Sequence, residues 1–154
     1  MKRLLLALAL LPATALAEDV GRIGLDIKGN DIVVEALDDP KVDGVTCHIS
    51  RFDRGTLDRL MGGNWFENPS NYSIACRQTG QIKIRDIDMD EDGEVVFSQR
   101  ESLIFKHVKI RRIADRKRNC LIYVAHSTQV VESSAKNSIS TISLFGTGAT
   151  LPAK

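Results

Sequence analysis

Apolar and polar residues alternate with period two along most of this chain, which predicts strands rather than helices. Ile23, Leu25 and Ile27 alternate with small or polar neighbours, Gly29-Asn30 offers a turn, and Ile32, Val34 and Ala36 resume the alternation. Residues 22–37 therefore read as a hairpin. Asp38-Asp39-Pro40 closes it, because aspartates favour turns and proline cannot donate to a ladder. Val45, Cys47 and Ile49 line one face of the next strand, which points Cys47 at the core. Strand character returns at Ile74–Cys76, Gln81–Ile84, Val95–Phe97 and Leu103–Ile113, with a bulge expected near Lys106-His107 where the alternation changes phase. Asp115–Asn119 reads as a charged turn. Cys120–Ala125 is apolar at every position, the pattern of a central strand covered on both faces.

Two stretches depart from period two. Leu57, Leu60 and Met61 have helical i, i+3, i+4 spacing, with Thr56 as cap and Gly62-Gly63 as stop. An irregular loop follows, in which Trp65-Phe66 is expected to fold over a core edge. Ala135, Ile139 and Ile142 fit one face of a short C-terminal helix capped by Ser133 or Ser134, and the tail from Gly146 reads as frayed. The expected fold is one compact domain, mainly antiparallel β (α+β), sandwich- or barrel-like, with one or two short helices.

The first seventeen residues follow another rule. Met1-Lys2-Arg3 is basic, Leu4–Leu11 is an unbroken apolar run, and Ala15-Leu16-Ala17 is a small-x-small cleavage site. This is the pattern of a secretory signal peptide cleaved after Ala17. It predicts an exported, periplasmic domain over residues 18–154. Lys2-Arg3 is not a twin-arginine pair, and Glu18 rather than Cys follows the site, so the general secretory route and no lipid anchor are expected. Removing residues 1–17 from the 154-residue chain leaves 137 and moves the formal charge from +1 to about −1. That length suits a single domain. The near-neutral charge argues against a general nucleic-acid binder, and no later apolar run reaches the roughly 18 residues of a membrane span.

Three cysteines remain: Cys47, Cys76 and Cys120. In an oxidising compartment an odd number implies one bridge and one leftover thiol, and spacing leaves all three pairings open. Cys120, between apolar neighbours, reads as a buried and unreactive thiol.

Candidate chemistry is sparse. Asp88-x-Asp90-x-Asp92-Gly93-x-Val95 starts as a calcium-binding loop does, several hard oxygens around a glycine turn. The bidentate glutamate expected at its twelfth place is Gln99, so closure would fall to Glu94 or Glu101. The competing reading, and the favoured one, is an acidic hairpin tip with no cofactor. A basic stretch follows: Lys106, Lys109, Arg111, Arg112, Arg116, Lys117 and Arg118. Lys109 and Arg111 share a strand face, and with Arg112 they form a candidate anion site against a solvated face that balances the nearby acids. His48, His107 and His126 lack any zinc-ligand spacing. Asp38-Asp39 is a carboxylate pair that the turn before Pro40 explains. No nucleophile elbow, phosphate loop or dinucleotide fingerprint is present.

Read together, these segments resemble the CreA family (catabolite-regulation protein A) of exported bacterial proteins. The carrying residues are Asp31-Ile-Val-Val-Glu-Ala-Leu-Asp-Asp-Pro40, Gly44-Val-Thr-Cys47, Ile74-Ala-Cys76, Gly93-Glu-Val-Val-Phe97 and Ser102-Leu-Ile-Phe105. Lys117-Arg-Asn119, Val130-Val-Glu132, Lys136-Asn137 and Ile139-Ser140 continue the match in order. The resemblance implies a small periplasmic protein named for its neighbourhood with a carbon-catabolism regulatory system, and it assigns no molecular activity. It also implies Cys47–Cys76 as the bridge; Cys120 and the acidic run at Asp86–Asp92 depart from the family pattern. The functional expectation is a non-catalytic binding or accessory module for an envelope component or small anion. The alternatives are a small envelope enzyme centred on a histidine, and a calcium-stabilised structural protein.

Overall fold

The computed structural model describes residues 17–62, 72–97, 108–130 and 135–152. It contains two antiparallel sheets of four strands each, both built in chain order. The first sheet holds β1 (Glu18–Gly24), β2 (Asp31–Asp38), β3 (Val42–Asp53) and β4 (Tyr72–Ile84). The second holds β5 (Glu94–Phe97), β6 (Val108–Asp115), β7 (Cys120–Ser127) and β8 (Asn137–Ser143). A single helix among the described residues, α1 (Thr56–Gly62), follows β3. The mainly antiparallel expectation is met.

The core lies between the inner faces of the two sheets. Leu37, Val45, Cys47, Ile49 and Cys76 come from the first sheet, and Phe97, Ile110, Leu121, Tyr123 and Ile142 from the second. Directly opposite residues share a face, so Cys47, paired with Cys76, turns inward with it. Their sulfurs form a disulfide, S–S 2.04 Å, that ties β3 to β4. Cys120 is a free, buried thiol, and its pairing with Asp115 and Ser143 places it on the opposite, outward face of the second sheet. Burial, and then the nearby Asp115 charge, push that thiol above its ordinary value.

Where the sheets meet edge to edge, serine hydroxyls take the place of a ladder. Cys76 N–H donates to Ser140 Oγ at 2.8 Å, Ser140 Oγ donates back to Cys76 C=O at 3.4 Å, and Ile74 N–H donates to Ser138 Oγ. The outward backbone groups of β4 would otherwise be buried without partners, at a cost of about 1–3 kcal/mol each.

Several expectations change. The C-terminal helix is a strand, β8: Ser140 and Ile142 are buried while Ile139 and Thr141 face out. The sequence Asn-Ser-Ile-Ser-Thr-Ile-Ser is period two with β-branched residues, and that local preference overrides the wider helical spacing. The tail from Gly146 is not frayed. Asn119, in the left-handed region at φ 48°, accepts Leu144 N–H at its carbonyl and Leu151 N–H at its side chain, and Ala149 and Leu151 pack on the core. β7 is central but covered on one face only, with Ile122 and Val124 half-buried on the other. The hairpin turn runs from Leu25 to Asn30, organised by Asp26, whose carboxylate accepts Lys28 N–H and both Asn30 donors. β1 is exposed along its whole length, and α1 buries none of its residues. Trp65-Phe66, the bulge at Lys106-His107 and the Ser133/Ser134 cap lie outside the described residues.

Candidate functional site

The most concentrated polar chemistry joins the two sheets. On β6, Val108, Ile110, Arg112 and Ala114 alternate inward, so strand geometry drives a guanidinium into the core, where Arg112 is 1% exposed. A buried cation demands a partner. Asp39, in the turn between β2 and β3, supplies it: Arg112 Nη1 donates to both of its carboxylate oxygens, 2.6 Å to Oδ2. Tyr123 on β7 donates its hydroxyl to the same Oδ2 at 2.6 Å. The backbone N–H groups of Lys41 (2.8 Å) and Val42 (3.0 Å) donate to Oδ1.

Arg112 Nη2 reaches on to Glu94 of β5, which also pairs with the Lys41 ammonium and accepts Asp88 N–H. Partial burial opposes ionisation of Glu94, but Lys41, the Asp88 N–H and Arg112 outweigh it and hold its carboxyl below the ordinary range. Tyr123 moves the other way. Burial, reinforced by the Asp39 charge, pushes its hydroxyl far above its usual value and keeps it neutral. Asp39 therefore has no oxygen free for a substrate, and Tyr123 cannot act as a base near neutrality. This constellation clamps two sheets together.

The sequence-derived site residues separate along these lines. Arg112 is not on a solvated basic face, because the alternation that exposes Lys109 and Arg111 turns it inward. Arg111 donates to the Asp92 carboxylate (3.2 Å) and to the carbonyls of Asp92 (2.9 Å) and Gly93 (3.0 Å). Lys109, Arg116 and Lys117 stay exposed, and Arg118 pairs with Asp115.

The acidic run does make a glycine turn, with Gly93 at φ +70° and its N–H on the Asp90 carbonyl. An added Cβ there would meet the Arg112 carbonyl at 2.6 Å. Its carboxylates do not converge, however. Asp88 holds Asp90 N–H, Asp92 holds Arg111, and Glu94 is drawn to Arg112 and Lys41. Among the described residues no group of three His, Cys, Asp or Glu side chains could hold a metal ion.

His48 sits on the outward face of the first sheet, opposite Ala36 and Ala75, and His126 on that of the second, opposite Lys109 and Asn137. The two do not meet. His107, Lys106, Gln99 and Glu101 lie outside the described residues. Sequence reasoning missed Asp39 and Tyr123 because a turn and an apolar run accounted for them. The usable signal was Arg112 itself, a charge at an inward strand position that calls for a buried acid.

The comparisons with known proteins agree in one direction. Residues 20–147 match the protein family described as CreA protein. "Protein CreA" of Escherichia coli strain K12 is 43% identical over 149 residues, spanning 92% of this chain and 94% of that protein. "Protein CreA" of Escherichia coli O157:H7 gives the same figures. No solved structure gives a significant match. No helix among the described residues is long and apolar enough to cross a membrane. With the family pattern matched along nearly the whole domain, this chain belongs to the CreA family.

Proposed function

We propose that this protein is exported to the periplasm and works there as a non-catalytic accessory module that binds a component of the cell envelope. The observation that carries the reading is the Cys47–Cys76 bridge, both of whose residues are fully buried in the core. Such a bridge is at home in an oxidising compartment, and the basic–apolar–small pattern of residues 1–17 is what would take the chain there. The absence of catalysis is supported by the saturated bonding of Asp39 and by the separation of His48 from His126. Lys109, exposed on β6, offers an anionic component its contact, with Arg111 beside it in part committed to Asp92.

Fractionation of cells making the full-length chain, with N-terminal sequencing of the product, tests the export half. Periplasmic protein beginning at Glu18 is expected. A cytoplasmic product that keeps residues 1–17 would overturn it. Calcium stabilisation has less support, because the acidic run spends its oxygens on N–H groups and arginines; a rise in melting temperature at millimolar calcium would bring that reading back.

A further inference from the structure

The outward face of the second sheet breaks the rule for an antiparallel sheet with one side in solvent, which is polar on that side. In register across its strands stand Val95, Arg111, Val124 and Ile139, and beside them Ile113, Ile122 and Thr141. Val95 is 40% exposed and Ile139 64%. Phe145, just beyond β8, is 91% exposed. The chain around it is anchored, since Leu144 N–H donates to the carbonyl of Asn119 in the β6–β7 turn. That places Phe145 at the same end of the sheet as Arg116 and Lys117. A contiguous apolar face of this kind marks an interaction site.

Charge says what would cover it. The acids bordering the apolar middle at Asp92 and Asp115 are already paired with Arg111 and Arg118. Lys109 at one end of β6, and Arg116 and Lys117 beyond the other, make no ion pair among the described residues and stay exposed. The remaining acids of the Asp88–Asp92 turn border only the β5 edge, so the β8 side, carrying Ile139 and Phe145, is the open approach. An apolar middle flanked by basic ends complements a surface that is anionic at its headgroups and apolar beneath. The most exposed apolar side chains on this side are Ile139 and Phe145.

We infer that this face docks on an anionic phospholipid surface, with Ile139 and Phe145 entering the headgroup region and Lys109, Arg116 and Lys117 meeting lipid phosphates. The inference rests on the envelope-module reading and names its partner. Each basic residue brought to an anionic surface strengthens binding about fivefold, so three give a preference on the order of a hundredfold.

The test is co-sedimentation of the purified processed chain, beginning at Glu18 so that the basic and apolar residues 1–17 add no vesicle binding of their own. Vesicles of phosphatidylglycerol and phosphatidylcholine in equal parts are set against vesicles of phosphatidylcholine alone. Binding to the anionic vesicles only, weakened by salt, is expected. The pair Arg116→Ala with Lys117→Ala should lower it about twentyfold. Phe145→Ser and Ile139→Asp, at exposed positions, should lower it while leaving the thermal unfolding midpoint unchanged. Equal binding to both vesicles, no binding, or variants that bind as the parent does would overturn the inference. Retention on an acidic polypeptide matrix without vesicle binding would reassign the face to a protein partner and overturn it too. Cell fractionation separates the two readings: a periplasmic protein that ignores vesicles sinks only the lipid surface, and a cytoplasmic one sinks the envelope role whatever the vesicles show.

Discussion

Two arginine–carboxylate clusters in this molecule look alike on paper and differ in what they do. One is buried: Arg112 with Asp39 and Glu94, joined by Tyr123. The other lies at the open end of the first sheet. There Arg22 meets Asp31 (2.7 Å) and Asp53 (3.1 Å), and Arg51 meets Glu35 (3.2 Å) and Asp53 (3.6 Å). Water screens the Arg22 end of that second cluster, and exposed pairs of this kind contribute little. Around Arg112, Asp39 and Tyr123 water is gone, so each of these groups depends on its partners and losing one strands the rest. Sequence composition cannot distinguish the two; position relative to the core does.

The comparison can be broken most forcefully at its buried hub. Asp39→Ala leaves the Arg112 charge in the core without its main partner and should destabilise by about 3–5 kcal/mol, read from the denaturant midpoint. Replacing both Cys47 and Cys76 by alanine tests whether the first sheet leans on its covalent tie as heavily. A loss of about 2–5 kcal/mol is expected, and a loss below 1 would show that packing alone holds β3 to β4. Tyr123→Phe removes one donor from Asp39 while two N–H groups and Arg112 remain, so about 1 kcal/mol should go.

The acid limb offers a smaller effect. The Glu94 carboxyl is held below its ordinary value, so its contribution is complete above the usual carboxylate range and lost as pH falls through its folded value. Glu94→Gln should therefore cost stability at neutral pH, cost little in acid, and so flatten that limb of the stability–pH curve. Last, Arg22→Ala should leave the midpoint where it was in moderate salt. A large drop there would erase the distinction between the clusters.

Much of the fold was legible because period two is a local signal. β3 and the inward turn of Cys47 follow from alternating residues alone, whereas β2 was legible as a strand but not in its facing: Val33, Glu35 and Leu37 turn inward, not Ile32, Val34 and Ala36. The failures came where two periodicities competed. Ile139 and Ile142 are three apart, as on a helix face, yet Ser138, Ser140 and Ile142 are also two apart. The strand prevailed because β-branched residues at period two favour it, which sets Ser138 and Ser140 against the β4 edge. The tail from Gly146 looked free because nothing in Gly-Thr-Gly reveals that Asn119, far away in sequence, will hold it. The polar hub was hidden for a related reason. Asp39 and Tyr123 are separated by 84 residues and Asp39 and Arg112 by 73, and only the docking of the sheets brings them together.

That separation bears on the order in which the molecule assembles. Strands in each sheet follow one another in sequence, so each ladder forms between near neighbours at small entropic cost. The contacts between sheets, from Asp39 to Arg112 and Tyr123 and from Cys76 to Ser140, span 64 residues or more. This topology favours pairing within two meanders before they dock, one carrying the disulfide and an acid, the other an arginine and a tyrosine that water must leave. Until they close on each other, Arg112 and Asp39 remain hydrated. The ion pair that looks like a cause of the fold depends on the docking of two sheets that pair within themselves.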